Sequence, residues 1–380
     1  MPIDSSPPRV LFLVKHRSAY GYDTPLTSGL YNSARMACEM VKRLGITAQI
    51  EHCIDGDFIE AAAVRFGATH VIIEAFWVTP DKFSELAAVL PGVRFIVRNH
   101  SETPFLANEG IAFQWALAYL AQGVSVAPNA PRMLGELRFL AKSVRPDLDD
   151  DGIAALTPFL PNYYGVREEP PRALNPDKSV IDVGCFGAIR PMKNQVLQAI
   201  AAQRFADHLG KRLVFHINAD RLENGGEPVL KSLRAIFAAG DHELREHPWY
   251  DHDAFLGLML SMDLVCQVSF SETFCIVAAD AASEGVPIVC SPEIPWASSL
   301  FTADPTNSED IADKMHTVYR VKLESPAFNP ALEGIRAYNR ATRGRWVEVF
   351  APADRVPRSF EVPGLGLSNT QTPMIRVSPP

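Results

Sequence analysis

The sequence predicts an α/β protein built as two doubly wound domains, each around a parallel sheet, facing one another across a cleft. Short apolar runs alternate with helix-periodic segments in both halves of the chain. That alternation stops at an acidic, proline-containing stretch between Asp147 and Ser179 and then restarts, and 380 residues exceed what one hydrophobic core usually serves. Strands separated by helices at this spacing need right-handed crossovers, which make the sheets parallel.

The elements follow in order. "RVLFLVK" (9 to 15) is a strand, and "SGLYNSARMACEMVKRLG" (28 to 45) has the apolar spacing of a helix that stops on Gly45. "ITAQIEHC", "THVIIEAFWV", "RFIVRN" and "GVSVAP" read as further strands, with helices around 57 to 66, 81 to 90, 108 to 121 and 130 to 142. The stretch from Asp147 through "PFLPNYYG" (158 to 165) and "REEPPRALNPDKS" reads as the domain connection. Beyond it come strand "VIDVGCFG", helix "NQVLQAIAAQRFADHLG", strand "RLVFHIN", helices "EPVLKSLRAIFAAG" and "AFLGLMLSM", and strand "DLVCQVSF". "IVAADAASEG" and "PIVCS" complete that unit, and "IADKMHTVYRV" and "GIRAYNRATRGRWVEVF" read as closing helices. The domains are drawn at 1–160 and 161–330, with a helix over 331–352 packing back across both and a proline-rich tail over 353–380.

A formal charge of -8 gives no global attraction to nucleic acid or anionic membrane. Six scattered cysteines without a C-x-x-C pair read as buried thiols, and ten histidines show no H-x-x-x-H pairing. No basic-then-apolar leader opens the chain and "RVLFLV" is too short to span a membrane, so a cytoplasmic protein with no integral membrane segment is expected.

The chemistry concentrates in "SFSETFCIVAADAASEGVPIV" (269 to 289). A strand runs into the turn "SETF" and a helix begins near Cys275, where free backbone N–H groups and the helix dipole favour an anionic phosphate. Asp280 lies five residues on, about 7 to 8 Å along the axis, within reach of the hydroxyls of a ribose attached to that phosphate. Glu272 faces the opposite way, Gly285 supplies a left-handed stop, and Pro287 prevents the helix from continuing. Taken singly, the two acids also fit a solvated cap and an exposed helix face, and Lys193 an ordinary surface lysine.

This stretch resembles the E-x7-E signature of retaining GT-B glycosyltransferases, standing here as Ser271, Glu272, Phe274, Asp280, Gly285 and Pro287. Cys275 replaces the usual glycine and Asp280 the second glutamate. "GAIRPMKNQ" (187 to 195) resembles the Gly-Arg-x-x-x-x-Lys turn of that family, with Gly187 and Lys193 at matching spacing, Ala188 where the arginine is expected, and Arg190 as the nearest substitute. "RFIVRNHSE" resembles the family strand that ends in a histidine near the donor sugar, His100, and Gly29 the glycine that lets the backbone approach the sugar phosphate.

The resemblance implies two Rossmann-like domains, with 1–160 on the acceptor side and 161–330 binding a nucleotide-diphosphate sugar. It implies Glu272, Lys193 and His100 as catalytic groups, and Gly29, Gly187, Arg190, Lys193, Phe274, Cys275 and Asp280 as donor contacts. Asp280 would hold the ribose. No cofactor is implied beyond the sugar donor as substrate. The acceptor is left open among cell-envelope saccharides or lipids, a small molecule, and a hydroxymethylated DNA base; the net negative charge argues against the last, and a basic cluster of Lys15, His16 and Arg17 with Arg94 and Arg98 keeps it open. A same-fold epimerase or phosphorylase and a non-catalytic nucleotide-sugar binder are the alternatives. His100 also fits a satisfied strand-end histidine, Phe76 and Trp77 fit core positions, and "HPWYDHD" (247 to 253) fits either a base pocket or a loop around a buried tryptophan.

A lysine with a helix dipole can replace a divalent ion electrostatically, so metal independence is expected. Turnover is therefore expected to persist in excess chelator; loss that magnesium or manganese restores would overturn this.

Overall fold

The computed structural model describes residues 7–15, 29–167 and 172–350. The first sheet is assembled from β1 (Arg9–Lys15), β2 (Thr47–Cys53), β3 (His70–Glu74), β4 (Arg94–Asn99) and β5 (Ser125–Pro128) in the order β2-β1-β3-β4-β5, all parallel. The second contains β6 (Val180–Gly184), β7 (Arg212–Asn218), β8 (Glu243–His247), β9 (Leu264–Gln267) and β10 (Ile288–Cys290) in the order β10-β9-β6-β7-β8, again parallel. The predicted α/β class with two doubly wound sheets is the observed one.

Helices α1 (Gly29–Arg43), α2 (Phe58–Phe66), α3 (Pro80–Val89), α4 (Thr103–Leu106), α5 (Ala112–Ala121), α6 (Pro131–Val144) and α7 (Asp150–Leu156) accompany the first sheet. With the second are α8 (Gln195–His208), α9 (Gly226–Ala238), α10 (His252–Met259), α11 (Ile276–Ser283) and α12 (Ser308–Glu324), followed by α13 (Pro330–Phe350). Alternation at period two sorts the first sheet's side chains. Leu11, Leu13, Val71, Ile73 and Val97 pack with the helices of one face, while Val10, Phe12, Ile72 and Ile96 share the other with α1, Trp346 and Phe350. The second sheet packs Ile181, Val183, Leu213 and Phe215 against α8, α9 and α12.

Two elements depart from the sequence reading. The stretch after Asp147, read as connection throughout, contains α7: the Asp149 carboxylate caps it by accepting from the Gly152 amide at 2.8 Å, and Ile153 and Leu156 are buried. Seven residues are too few for helical periodicity to show. The edge strand β8 was not read as a strand, because its Glu243, Arg245 and Glu246 give it a largely charged sequence. The stretch read as a tail lies outside the described residues, as do His16 and Arg17.

Helix α13 reaches both sheets. Its Trp346 stacks on Phe12 with ring centres 5.8 Å apart and donates its indole N–H to the Pro161 carbonyl at 2.9 Å; Phe350 meets His70 edge-on, and Tyr338 packs on Phe274. The connector after α7 is held on both sides. The Asn339 amide brackets the backbone of Tyr164, accepting from its N–H at 3.1 Å and donating to its carbonyl at 2.7 Å, and Thr342 donates to the Asn162 carbonyl.

Arg98, expected in a basic patch, is instead fully buried. It donates to the Leu160 carbonyl at 3.0 Å, to both oxygens of Glu74 at 3.2 and 3.3 Å and to the Asn162 side chain, and its guanidinium lies 5.2 Å from the Trp346 ring centre. Arg94 sits at the opposite end of β4 from the cleft and donates to the Ala155 carbonyl at 2.6 Å. Arg98 therefore offers no surface to DNA, and Arg94 lies away from the cleft, so these two arginines do not form a basic patch beside Lys15. Arg98→Ala should cost about 3–5 kcal/mol in urea unfolding by stranding the Glu74 charge, and Glu74→Gln added to it should recover part of that loss.

Candidate active site in the interdomain cleft

Each sheet reverses its winding at one place, between β1 and β3 in the first and between β6 and β9 in the second. Parallel sheets bind ligands beyond the carboxyl ends of strands at such points. A cavity of about 570 Å³ lies there, lined from the first sheet by Lys15, Phe76, Asn99 and His100 and from the second by Gly187, Arg190, Lys193 and Glu272.

Its second-domain wall starts where β6 ends. Gly187 has φ of +107°, a conformation open to glycine, and its amide donates to Asn218 Oδ1 at 3.0 Å. The chain then makes a short 3-10 turn over Pro191–Lys193, which closes on Asn194 in the left-handed region. The Asn194 amide donates to the carbonyls of Val268 and Pro305, and the Phe270 N–H to the Met192 carbonyl, so this turn is strapped to the end of β9.

That strapping brings Lys193 Nζ onto the Glu272 carboxylate, both side chains about a tenth exposed (11% and 12%). Burial opposes both charges, but the pairing wins: Lys193 is held above its ordinary value by Glu272, and Glu272 below its own by Lys193 and then Arg190. Arg190 lines the cavity, paired with Glu223 at 3.0 Å and lying 4.5 Å from the ring centre of Phe105, across the cleft. Ala188, where an arginine was sought, is buried.

Helix α11 presents Ile276 and Val277 to the cavity. Cys275, its N-cap, holds φ of +59°, a strained position for a side-chain-bearing residue. Burial pushes its thiol up to about 12, and the sulfur rests 3.5 Å from Gln267 Oε1 as a neutral group. Phe274 borders the cavity but is a core residue, ringed by Trp296 and Tyr338, with its carbonyl accepting from the Trp296 indole at 2.9 Å. Asp280 does not line the cavity: it is 1% exposed, and its Oδ1 accepts from the Tyr164 hydroxyl and from His252.

From the first domain comes His100. Its Nε2 contacts the buried Glu74, and the Asn129 amide approaches Nδ1 at 3.4 Å; donor and acceptor types place the ring proton on Nε2. Burial lowers the affinity of His100 for a second proton, Glu74 opposes this and Arg98 adds to it, so the ring is held neutral. Thr273, next to Glu272, donates to the His100 carbonyl at 3.1 Å and ties the two walls together. Gly29 and Lys15 also border the cavity, as does Phe76, which packs on Tyr119.

Residues that the sequence did not single out complete the lining, together with Trp249 of the stretch that fitted either a base pocket or a loop. Asp220, Arg221 and Glu223 follow β7, Glu109 lies between α4 and α5, and Trp249 carries the Arg221 guanidinium 4.7 Å from its ring centre. Their placement after strand ends was the available signal. Among the described residues no three His, Cys, Asp or Glu side chains are grouped to hold a metal ion, and no helix is long and apolar enough to cross a membrane.

No protein-family model matches the chain, and no curated protein matches it by sequence. Solved structures do match in shape. Sucrose-phosphate synthase from Thermosynechococcus elongatus aligns with a TM-score of 0.60 at 14% identity, over 90% of this chain and 95% of that one. A UDP-forming α,α-trehalose-phosphate synthase from Burkholderia xenovorans aligns at 0.55 and 9%, over 90% and 98%. HepE of Anabaena, solved with UDP, aligns at 0.52 and 13%, over 90% and 97%. At these identities the likeness is one of fold, and the fold is GT-B.

The cleft is also clasped at its rim. Arg132 of α6 pairs with Glu293 after β10 and lies 3.6 Å from Glu102, with Glu136 nearby. Burial, with Glu136 and Glu293 adding to it against Arg132, raises Glu102 from 4.5 to about 7. The unfolded state then holds fewer protons than the folded one between those values, so stability should fall as pH rises from 4.5 to 7 and level off above. Glu102→Gln should flatten that slope in denaturant midpoints measured across the same range.

Proposed function

We propose that this chain is a glycosyltransferase that moves a sugar from a nucleotide-diphosphate sugar to an acceptor hydroxyl, with retention of configuration and without a metal ion. The observation that carries this reading is the Lys193–Glu272 pair, sunk in the cleft beside the N-terminus of α11 where both sheets reverse. As the sugar departs, negative charge grows on the diphosphate. In this reading Lys193 and the first amides of α11 stabilise that charge, and Arg190, paired with Glu223, adds to it once drawn from that pair.

Glu272, released from full pairing as Lys193 turns to the phosphates, becomes an acceptor for sugar hydroxyls. His100, neutral and braced by Glu74, borders the same cavity as a hydrogen-bonding wall rather than a charge. The sucrose-phosphate synthase and HepE likenesses support a nucleotide-sugar donor, and UDP is the first nucleotide to try. For the acceptor, a saccharide, lipid or small-molecule hydroxyl suits the cleft better than modified DNA, since Arg98 is sealed in the core and Arg94 lies at the far end of β4 from the cleft. One feature favours a catalytically degenerate nucleotide-sugar binder: Ala188 supplies no cation, and Arg190 is already paired.

Donor binding and hydrolysis across a panel of nucleotide sugars test the reading. Turnover of one donor should fall by about 100-fold or more in both Lys193→Ala and Glu272→Ala. Binding without turnover would establish the degenerate binder, an epimer or sugar phosphate formed without acceptor would mean an epimerase or phosphorylase, and no binding at all would refute the assignment.

A further inference from the structure

Asp280 stands where the E-x7-E pattern carries its second acid, yet its surroundings describe a different task. Its Oδ1 accepts two hydrogen bonds, from the Tyr164 hydroxyl at 2.7 Å and from His252 Nε2 at 2.9 Å. Tyr164 belongs to the interdomain connector, and its backbone is bracketed by Asn339 of α13. His252 opens α10, whose start is fixed by the Asp251 carboxylate accepting from the Ala254 amide at 2.9 Å. One carboxylate oxygen therefore joins the connector, α10 and α11.

None of the three side chains lines the cavity. The carboxylate is 1% exposed, and moving Oδ1 towards a ligand would leave the phenol and the imidazole unsatisfied in the interior. Burial, with the carboxylate adding to it, pushes the Tyr164 phenol well above its ordinary value, so it stays a donor at any pH the protein survives. An aspartate is also one methylene shorter than a glutamate, and here that length seats it on the connector.

We infer that Asp280 is a positioning residue and not a ribose ligand: it fastens the interdomain connector to the helix whose N-terminus faces the donor phosphates, so domain angle and phosphate site are set together. Its consequence for the donor rests on the function proposed above, whereas the fastening itself does not.

The test compares the unaltered protein with Tyr164→Phe, Asp280→Ala and the double variant of these two, since alanine leaves the phenol no acceptor where asparagine keeps one; Asp280→Asn is added for the nucleotide comparison. In thermal unfolding the double variant should melt no lower than the weaker single variant, because both remove the same contact; additive lowering overturns the inference. Binding of UDP, ADP and GDP is then set against that of their 2′-deoxy forms. Tyr164→Phe should weaken a nucleotide and its deoxy form alike, and Asp280→Asn should leave the ratio between them within about twofold of the unaltered protein. If Asp280→Asn abolishes the discrimination while Tyr164→Phe preserves it, Asp280 is a ribose ligand and the inference fails. If no nucleotide binds the unaltered protein, the glycosyltransferase reading falls, and the melting comparison alone decides the fastening.

Discussion

A guanidinium with no access to water governs how this molecule is put together. Arg98 cannot be buried unless its donors and its charge are met, and the partners it recruits come from three different elements. Glu74 brings β3, Leu160 and Asn162 bring the connector, and Trp346 brings α13. Asn162 Oδ1 also accepts from Ser33 of α1, so four helices and strands and the connector meet at one charge. The same Glu74 that neutralises Arg98 braces His100, which places the electrostatics of the cleft wall under the control of the core behind it.

The cleft thus has an ion pair on each side, and they differ in kind. Glu74 and Arg98 are sealed, so their charges are permanent parts of the fold. Lys193 and Glu272 are nearly buried but open to the cavity, held together by contacts that an anionic ligand can replace. A pair of that sort keeps an empty site close to electrically neutral while holding a cation in reserve. Thr273, bonded to the His100 carbonyl, keeps the two sides in register.

Much of this was legible in the sequence where the signal was local. Strand and helix alternation gave the two sheets, and Gly187, Lys193 and Glu272, singled out by resemblance to family turns, line the cavity beyond the strand ends. What escaped depended on distant partners. Nothing near Arg98 in "RFIVRN" announces that it points inward, because the residues that accept its hydrogen bonds lie 24, 62 and 64 positions away. Asp280 sits where a ribose contact was sought, but its partners Tyr164 and His252 are 116 and 28 positions removed. Trp249 and Arg221 became neighbours through the sheet, and α7 was too short for its period to register.

Because α13 supplies Trp346 and Phe350 to the sheet begun by Phe12, the first-made part of the chain waits for the last described helix. While a ribosome is still making the second domain, one face of the first sheet stands partly uncovered and Arg98 lacks its aromatic cover. Vectorial synthesis favours folding domain by domain, and here the first sheet gains its full apolar cover only when α13 is in place. The nascent first half is the stage at which a chaperone would find apolar surface to hold, and release of the completed chain is the event that removes it.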